Sequence, residues 1–94
     1  MALETTIYDS ADYLDSPEAI AAYIDAAFED GESALITHAL GVVARAKGMS
    51  QLARDAGVTR EALYKALTAD GDPKLSTFVG VLKALGMRLS ARAA

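Results

Sequence analysis

Glycines divide this chain of 94 residues into short stretches of helical periodicity. Gly31, Gly48 and Gly86 each follow a stretch in which apolar residues recur every three or four positions, which is the spacing of one helix face. Gly57 ends a shorter stretch of the same kind. The pattern therefore predicts an all-α fold built from five helices.

Capping residues mark where these helices begin. Ser16 suits the position before a helix because its side chain accepts a backbone hydrogen bond, and Pro17 suits the first turn, where its missing N–H is not needed. Ser50 and Thr59 are predicted to cap two later helices. The five predicted helices cover residues 17–30, 32–47, 50–56, 59–68 and 76–85. The predicted apolar stripe of the second is Leu35, Ile36, Ala39, Leu40, Val43 and Ala46.

The pattern changes after Gly86. Met87, Leu89 and Ala91 alternate with polar or charged residues. Alternation with a period of two is typical of a strand with one apolar face. We therefore expect a short strand at the C-terminal end of the chain.

Charge is unevenly distributed along the chain. Residues 1–31 contain eight Asp and Glu and no Lys or Arg, whereas residues 32–94 contain nine basic and five acidic residues. This asymmetry predicts one surface for a basic partner and another for an acidic partner. The alternative is that the acidic residues only keep a small protein in solution. We divide the chain accordingly into an acidic extension with one helix, 1–31, and a second region, 32–94.

The segment from Ser50 to Leu67 has the pattern of two short helices joined by a tight turn. Gly57 suits the turn because a residue without Cβ adopts the left-handed conformation that ends a helix. The second helix is predicted to turn Ala62, Leu63, Ala66 and Leu67 inward. Its outward residues are then Arg60, Glu61, Tyr64 and Lys65. A short helix held at both ends, with such a polar face, has the shape that enters the DNA major groove.

The outward residues have the chemistry for DNA recognition. Arg60 can pair with both guanine acceptors, and Glu61 can accept from cytosine or orient Arg60. Tyr64 and Lys65 lie one turn further along, within reach of a base or a phosphate. Four more residues are predicted to contact phosphate, which fixes the register without specifying sequence: Ser50, Gln51, Thr59 and Lys74. The alternative is that Arg60 and Glu61 are ordinary solvated residues and that the Tyr64 ring covers a neighbouring apolar patch.

Several function classes are disfavoured. Cysteine is absent and His38 is the single histidine, which removes thiol chemistry and the usual zinc sites. We expect His38 to be partly buried with a structural role. The glycine spacings match no nucleotide-binding fingerprint, and no signal peptide or membrane span is visible. We therefore expect a cytoplasmic protein that is not an enzyme, has no cofactor or metal and does not bind membranes.

Three stretches of the chain resemble a known family: YDSADYLDSPEAIAAYIDAAFEDG, ALGVVARAKGMSQLARDAGVTREALYKAL and DGDPKLSTFVGVLKALGMRLS. From about Leu35 to Ala91 the chain resembles the Cro/λ-repressor-like (XRE) helix-turn-helix domains. Within these it is similar to the HigA-like addiction-module antidote proteins. Met49 departs from the family pattern, because many members have at this position a glutamine that contacts phosphate.

The resemblance implies a λ-repressor-like five-helix fold whose helix-turn-helix DNA-binding domain is 32–94, and a homodimer that binds a double-stranded operator and represses its own gene. It also implies an antitoxin of a type II toxin–antitoxin module, which neutralises a basic RelE/ParE-like (HigB-like) toxin. The predicted toxin-contacting region is 1–31, with Asp9, Asp12, Asp15, Asp25 and Glu29 as candidate contacts. The alternatives are a repressor without a toxin and a protein-interaction module that does not bind DNA.

Overall fold

The structure is a computed structural model that describes residues 14–68 and 70–94. This part of the chain forms five α-helices and no strand, which confirms the all-α prediction for it. In chain order they are α1 (Pro17–Asp30), α2 (Ser33–Lys47), α3 (Met49–Ala56), α4 (Arg60–Ala66) and α5 (Leu75–Ala84). Each lies within about two residues of its predicted position, which is the usual uncertainty of helix ends.

The ends of α1 follow from its capping residues. The Ser16 hydroxyl oxygen accepts a hydrogen bond from the Ala19 backbone N–H at 3.1 Å, and Pro17 occupies the first turn. At the other end Gly31 has a left-handed conformation (φ 85°), and its N–H donates to the Ala27 carbonyl. The prediction that Ser50 caps a helix is wrong. α3 begins one residue earlier, after Gly48, so Ser50 lies inside the first turn.

Helix α2 contributes the most buried residues of the five helices. It packs against α1 on one side and α3 on the other, and α3 also packs against α4 and α5. Leu40, Val43 and Ala44 are therefore fully buried. The predicted stripe of α2 was partly wrong, because Leu35 and Ala46 are exposed. Because two helices pack against α2, its buried face is wider than the predicted stripe and includes Ala44, which the stripe left out.

Helix α1 belongs to the same core as the later helices. Its Ile20 and Ile24 side chains are buried in one cluster with residues of α2, α3, α4 and α5. Phe28 of α1 also packs edge-to-face on Phe78 of α5, with ring centroids 6.1 Å apart. The helix in the described part of the acidic extension is thus packed into the fold, although several of its exposed side chains are charged.

Two expectations about single segments are corrected. Residues 87–94 form neither helix nor strand, so the predicted C-terminal strand is wrong. A strand needs a partner for its backbone hydrogen bonds, and the described part of the chain contains none. His38 is exposed, not partly buried.

None of the helices in the described part of the chain has the length and apolar composition that a membrane span requires.

Helix α2 makes one backbone contact that tolerates no side chain. A Cβ atom added to Gly41 would lie 2.6 Å from the Leu67 carbonyl oxygen, at the end of α4. That distance is far below van der Waals contact, and the obstacle is backbone. The absence of a side chain at Gly41 therefore sets how closely α2 approaches the end of α4.

Replacing Gly41 by alanine should lower the free energy of unfolding by about 1–3 kcal/mol, because the methyl group forces the two backbones apart. This loss should outweigh the gain in helix propensity from glycine to alanine, which is about 1 kcal/mol. Urea denaturation followed by circular dichroism measures the change. Ala46→Ser, on the exposed face of α2, is the control and should change the stability by less than about 0.5 kcal/mol. A Gly41→Ala protein as stable as the wild type would contradict the contact.

Candidate nucleic-acid interface

The turn between α3 and α4 is closed by backbone hydrogen bonds. Gly57 has a left-handed conformation (φ 79°, ψ 27°), as its position required. Its N–H donates to the Arg54 carbonyl at 3.2 Å, and the Val58 N–H donates to the Ala53 carbonyl at 3.0 Å. The second bond spans five residues and is the mark of the Schellman motif. Only three residues therefore separate the two helices, and their backbone is held by hydrogen bonds.

Helix α4 is fixed at its start and along its inner face. The Thr59 hydroxyl oxygen accepts a hydrogen bond from the Ala62 N–H at 3.0 Å, which confirms Thr59 as the cap. Leu63 is fully buried and Leu67 nearly so. Arg60, Glu61, Tyr64 and Lys65 are exposed, as predicted, and form the outward face of α4. Ala62 is exposed as well, so the prediction that it turns inward is wrong, because Leu63 is the one buried residue within this short helix.

The outward face of α4 combines charged side chains with an aromatic one. Arg60 and Tyr64 are four residues apart, as are Glu61 and Lys65, so each pair lies along one line of the helix. Tyr64 is 53% exposed, so its ring is not buried against the core. The face thus offers a guanidinium, an ammonium, a carboxylate and a phenol to a partner.

The outward face of α3 carries a hydrogen-bonded group that sequence analysis missed. The Arg54 Nη1 donates to Gln51 Oε1, and the Gln51 Nε2 donates to Asp55 Oδ1, each at 2.9 Å. The Gln51 amide is therefore held in one orientation, with one N–H left over for a partner. Arg54 lies three residues after Gln51, a spacing that marks neighbours on a helix and would have identified it.

The eight residues predicted to contact DNA are all exposed. Six of them lie on two successive helices that pack against each other. Ser50 and Gln51 are on α3, and Arg60, Glu61, Tyr64 and Lys65 are on α4. Thr59 lies in the turn itself, and Lys74 is further along the chain, immediately before α5. Their contacts with DNA remain predictions.

The structure describes three of the five predicted toxin contacts. Asp9 and Asp12 lie outside the described residues, and Asp15 is exposed just before α1. Asp25 and Glu29 are exposed one turn apart on α1 and line an open groove of about 830 Å³ between α1 and residues 87–94. We call this the α1 groove. Asp25 also forms an ion pair with Arg92, with 3.9 Å between Oδ1 and Nη2.

Comparison with known proteins identifies the family. Residues 4–93 match the model of a family described as "Probable addiction module antidote protein". The chain belongs to this antidote family. It is also 46% identical over 81 residues to an uncharacterized protein of Haemophilus influenzae, an alignment that covers 86% of this chain and 84% of that relative. No solved structure matches the chain.

Membership of an antidote family implies an antitoxin role in a toxin–antitoxin module, and hence a toxin partner. The match extends over almost the whole chain, including most of the acidic extension. The family pattern therefore includes α1 as well as the later helices.

The cap of α4 provides a test of how its outward face is held. Thr59→Ala removes the acceptor for the Ala62 N–H and should cost about 1 kcal/mol of folding free energy, whereas Thr59→Ser keeps the acceptor and should cost little. Thermal and urea denaturation of both variants measure the difference. Equal stability of the alanine and serine variants would show that the hydroxyl does not hold the start of α4.

Proposed function

We propose that this antidote-family chain is the antitoxin of a type II toxin–antitoxin module and a sequence-specific DNA-binding autorepressor. The DNA-binding part of the proposal rests on one observation. Helix α4 is anchored by Leu63, Leu67 and the Thr59 cap, and this leaves Arg60, Tyr64 and Lys65 exposed on its other side. The proposed role requires no catalysis and places the protein in the cytoplasm with its DNA.

In this proposal α3 and α4 are the two helices of a λ-repressor-like helix-turn-helix domain, and α4 is the recognition helix. Its diameter with side chains, about 10–12 Å, suits a major groove about 12 Å wide, and its seven residues give it a length of about 10 Å. The short hydrogen-bonded turn supports the proposal, because a recognition helix must be held rigidly by the helix before it. The first residues of α4 would then face the base edges.

The proposed contacts divide by chemistry. Arg60 donates to guanine O6 and N7, and Glu61 accepts from cytosine or orients Arg60. Tyr64 and Lys65, one turn further along α4, reach a base or a phosphate. The Thr59 oxygen accepts from Ala62 within the protein, so its own hydrogen is free to donate to a phosphate. The other proposed phosphate contacts are Ser50, Gln51, Arg54 and Lys74, which are all exposed.

A homodimer is the proposed DNA-binding form. One copy offers few cations to phosphate, and affinity for DNA rises with the number of phosphates neutralised. Two copies related by a two-fold axis double that number and match the two half-sites of a palindrome, which lie about 34 Å apart. Leu75 at the start of α5 is 70% exposed. We propose that the exposed side of α5 contributes to pairing of the subunits.

The toxin is proposed to be basic and of the RelE/ParE-like (HigB-like) type. All eight charged residues of 1–31 are acidic, so this region attracts a cationic protein and repels DNA. Such complementarity increases the rate and selectivity of association. The proposed contacts on the described residues are Asp15, Asp25 and Glu29, and Asp9 and Asp12 lie in the segment before them.

Replacing Arg60 by alanine should abolish the preference for the gene's own upstream DNA over random DNA, a loss of about 1–3 kcal/mol for a bidentate contact. Fluorescence anisotropy with both duplexes at one salt concentration measures the two affinities, and their ratio is the preference. Lys65→Ala is the contrasting variant. If Lys65 contacts phosphate, it should weaken binding to both duplexes about equally.

Arg92→Ala is the matched control, because Arg92 is an exposed arginine after α5 that pairs with Asp25 of α1 and lies outside α3 and α4. It should leave both affinities unchanged. An Arg60→Ala protein that keeps its preference would show that α4 is not the recognition helix. A wild-type protein that binds neither duplex would favour a pure protein-interaction module.

Removing residues 1–12 should weaken toxin neutralisation and leave operator binding largely unchanged, because it removes three acidic residues and no part of α3 or α4. Leu14 is buried in the core, so the deletion must end before it. Growth rescue on co-expression with the protein encoded by the adjacent reading frame measures neutralisation, and anisotropy measures operator binding. Full rescue by the shortened protein would contradict a toxin contact in this segment.

A further inference from the structure

The α1 groove has one wall that is fixed and one that is not part of a helix. The fixed wall is α1, whose Ile20 and Ile24 are packed in the core. The other wall is residues 88–94, which we call the tail; all its residues are exposed and in neither helix nor strand. The last backbone hydrogen bond before the tail joins the Met87 N–H to the Leu82 carbonyl at 2.8 Å.

One ion pair joins the tail to α1 in the described residues. Arg92 pairs with Asp25 at 3.9 Å, and the two side chains are 75% and 57% exposed. Ion pairs this long and this exposed contribute little to stability, because water and salt screen them. The tail can therefore be displaced from the groove at low cost, whereas α1 cannot be moved without opening the core.

The permanent part of the groove combines apolar and acidic side chains. Ile24, Phe28, Leu82 and Met87 line its inner part. Asp25 and Glu29 lie at its edge, four residues apart on α1, and the segment 1–31 has no basic residue. This combination suits a cationic amphipathic segment that inserts an apolar side chain and places an arginine or lysine against the carboxylates. Arg92 shows that a guanidinium reaches Asp25.

We propose that the α1 groove is the docking site for a cationic amphipathic segment of the toxin, and that the tail occupies this site in the free protein through Arg92. The inference rests on the proposed antitoxin function and adds to it the location of the contact and a competitor within the chain itself. The toxin segment must displace Arg92 from Asp25 to bind. The tail therefore lowers the affinity for the toxin without touching α3 or α4.

The competition predicts opposite effects for the two partners of the ion pair. Arg92→Ala removes the competitor and should tighten toxin binding about two- to five-fold at low salt, the range expected for losing one exposed ion pair. Asp25→Lys removes the site and should weaken binding about ten-fold or more. In an Asp25→Ala protein the additional change Arg92→Ala should have no effect, because the competitor has lost its partner.

The probe is the purified product of the reading frame adjacent to this gene, and the measurement is calorimetry or biolayer interferometry with the full chain. Two charge-matched controls lie outside the groove. Asp30→Lys, at the end of α1, and Lys47→Ala, at the end of α2, are changes at exposed residues. Asp30→Lys should alter toxin binding much less than Asp25→Lys does, and Lys47→Ala much less than Arg92→Ala does. The gain from Arg92→Ala should also disappear in 1 M salt, where the Debye length falls to about 3 Å.

The outcomes separate this inference from the proposed function. A wild-type protein that does not bind the probe would overturn both. Binding that is unchanged by Asp25→Lys, or that is weakened by Arg92→Ala, would overturn the groove and leave the antitoxin role intact. A wild-type dimer that becomes monomeric on Arg92→Ala would show that the tail joins two copies, which would also overturn the inference. Operator binding should be the same for all variants.

Discussion

The burial of Leu63 and Leu67 is the interaction on which the proposed DNA surface depends. Helix α4 has seven residues, and helices this short are not stable in water on their own. It exists because these two side chains are inserted into the core that α2 and α3 complete, while the Thr59 cap and the Gly57 turn set its start. Any change that loosens this packing would release Arg60, Tyr64 and Lys65 from their common orientation.

The charge asymmetry of the sequence becomes a division between surfaces of one folded unit. Helix α1 contributes Ile20 and Ile24 to the common core and presents Asp25 and Glu29 to solvent. Helix α4 does the same with Leu63 and Arg60. Helix α1 is therefore not separate from the later helices, since it shares their core. In the proposed function, opposite charges on different helices allow one small chain to attract a basic protein and a nucleic acid at different sites.

The secondary structure was largely predictable because its signals are local. Ser16 with Pro17, and Gly31, Gly48 and Gly57, act through their own backbone conformation, and the structure places helix ends next to each of them. The errors arose where contact with a second segment of the chain decides the secondary structure or the burial. The alternation after Gly86 favoured a strand, but the described residues offer no strand to pair with it. The stripe of α2 missed Ala44 and included Ala46, because two neighbouring helices cover α2.

The sequence by itself determined the all-α class, the approximate helix ends, the exposed side of α4 and the acidic character of the first third. These properties depend on residues close together in the chain. The resemblance to addiction-module antidote proteins likewise agrees with the family matched over residues 4–93. Only the tertiary structure decided that Gly41 meets the Leu67 carbonyl and that Arg92 reaches Asp25. Both contacts join residues distant in sequence, so no local pattern indicates them.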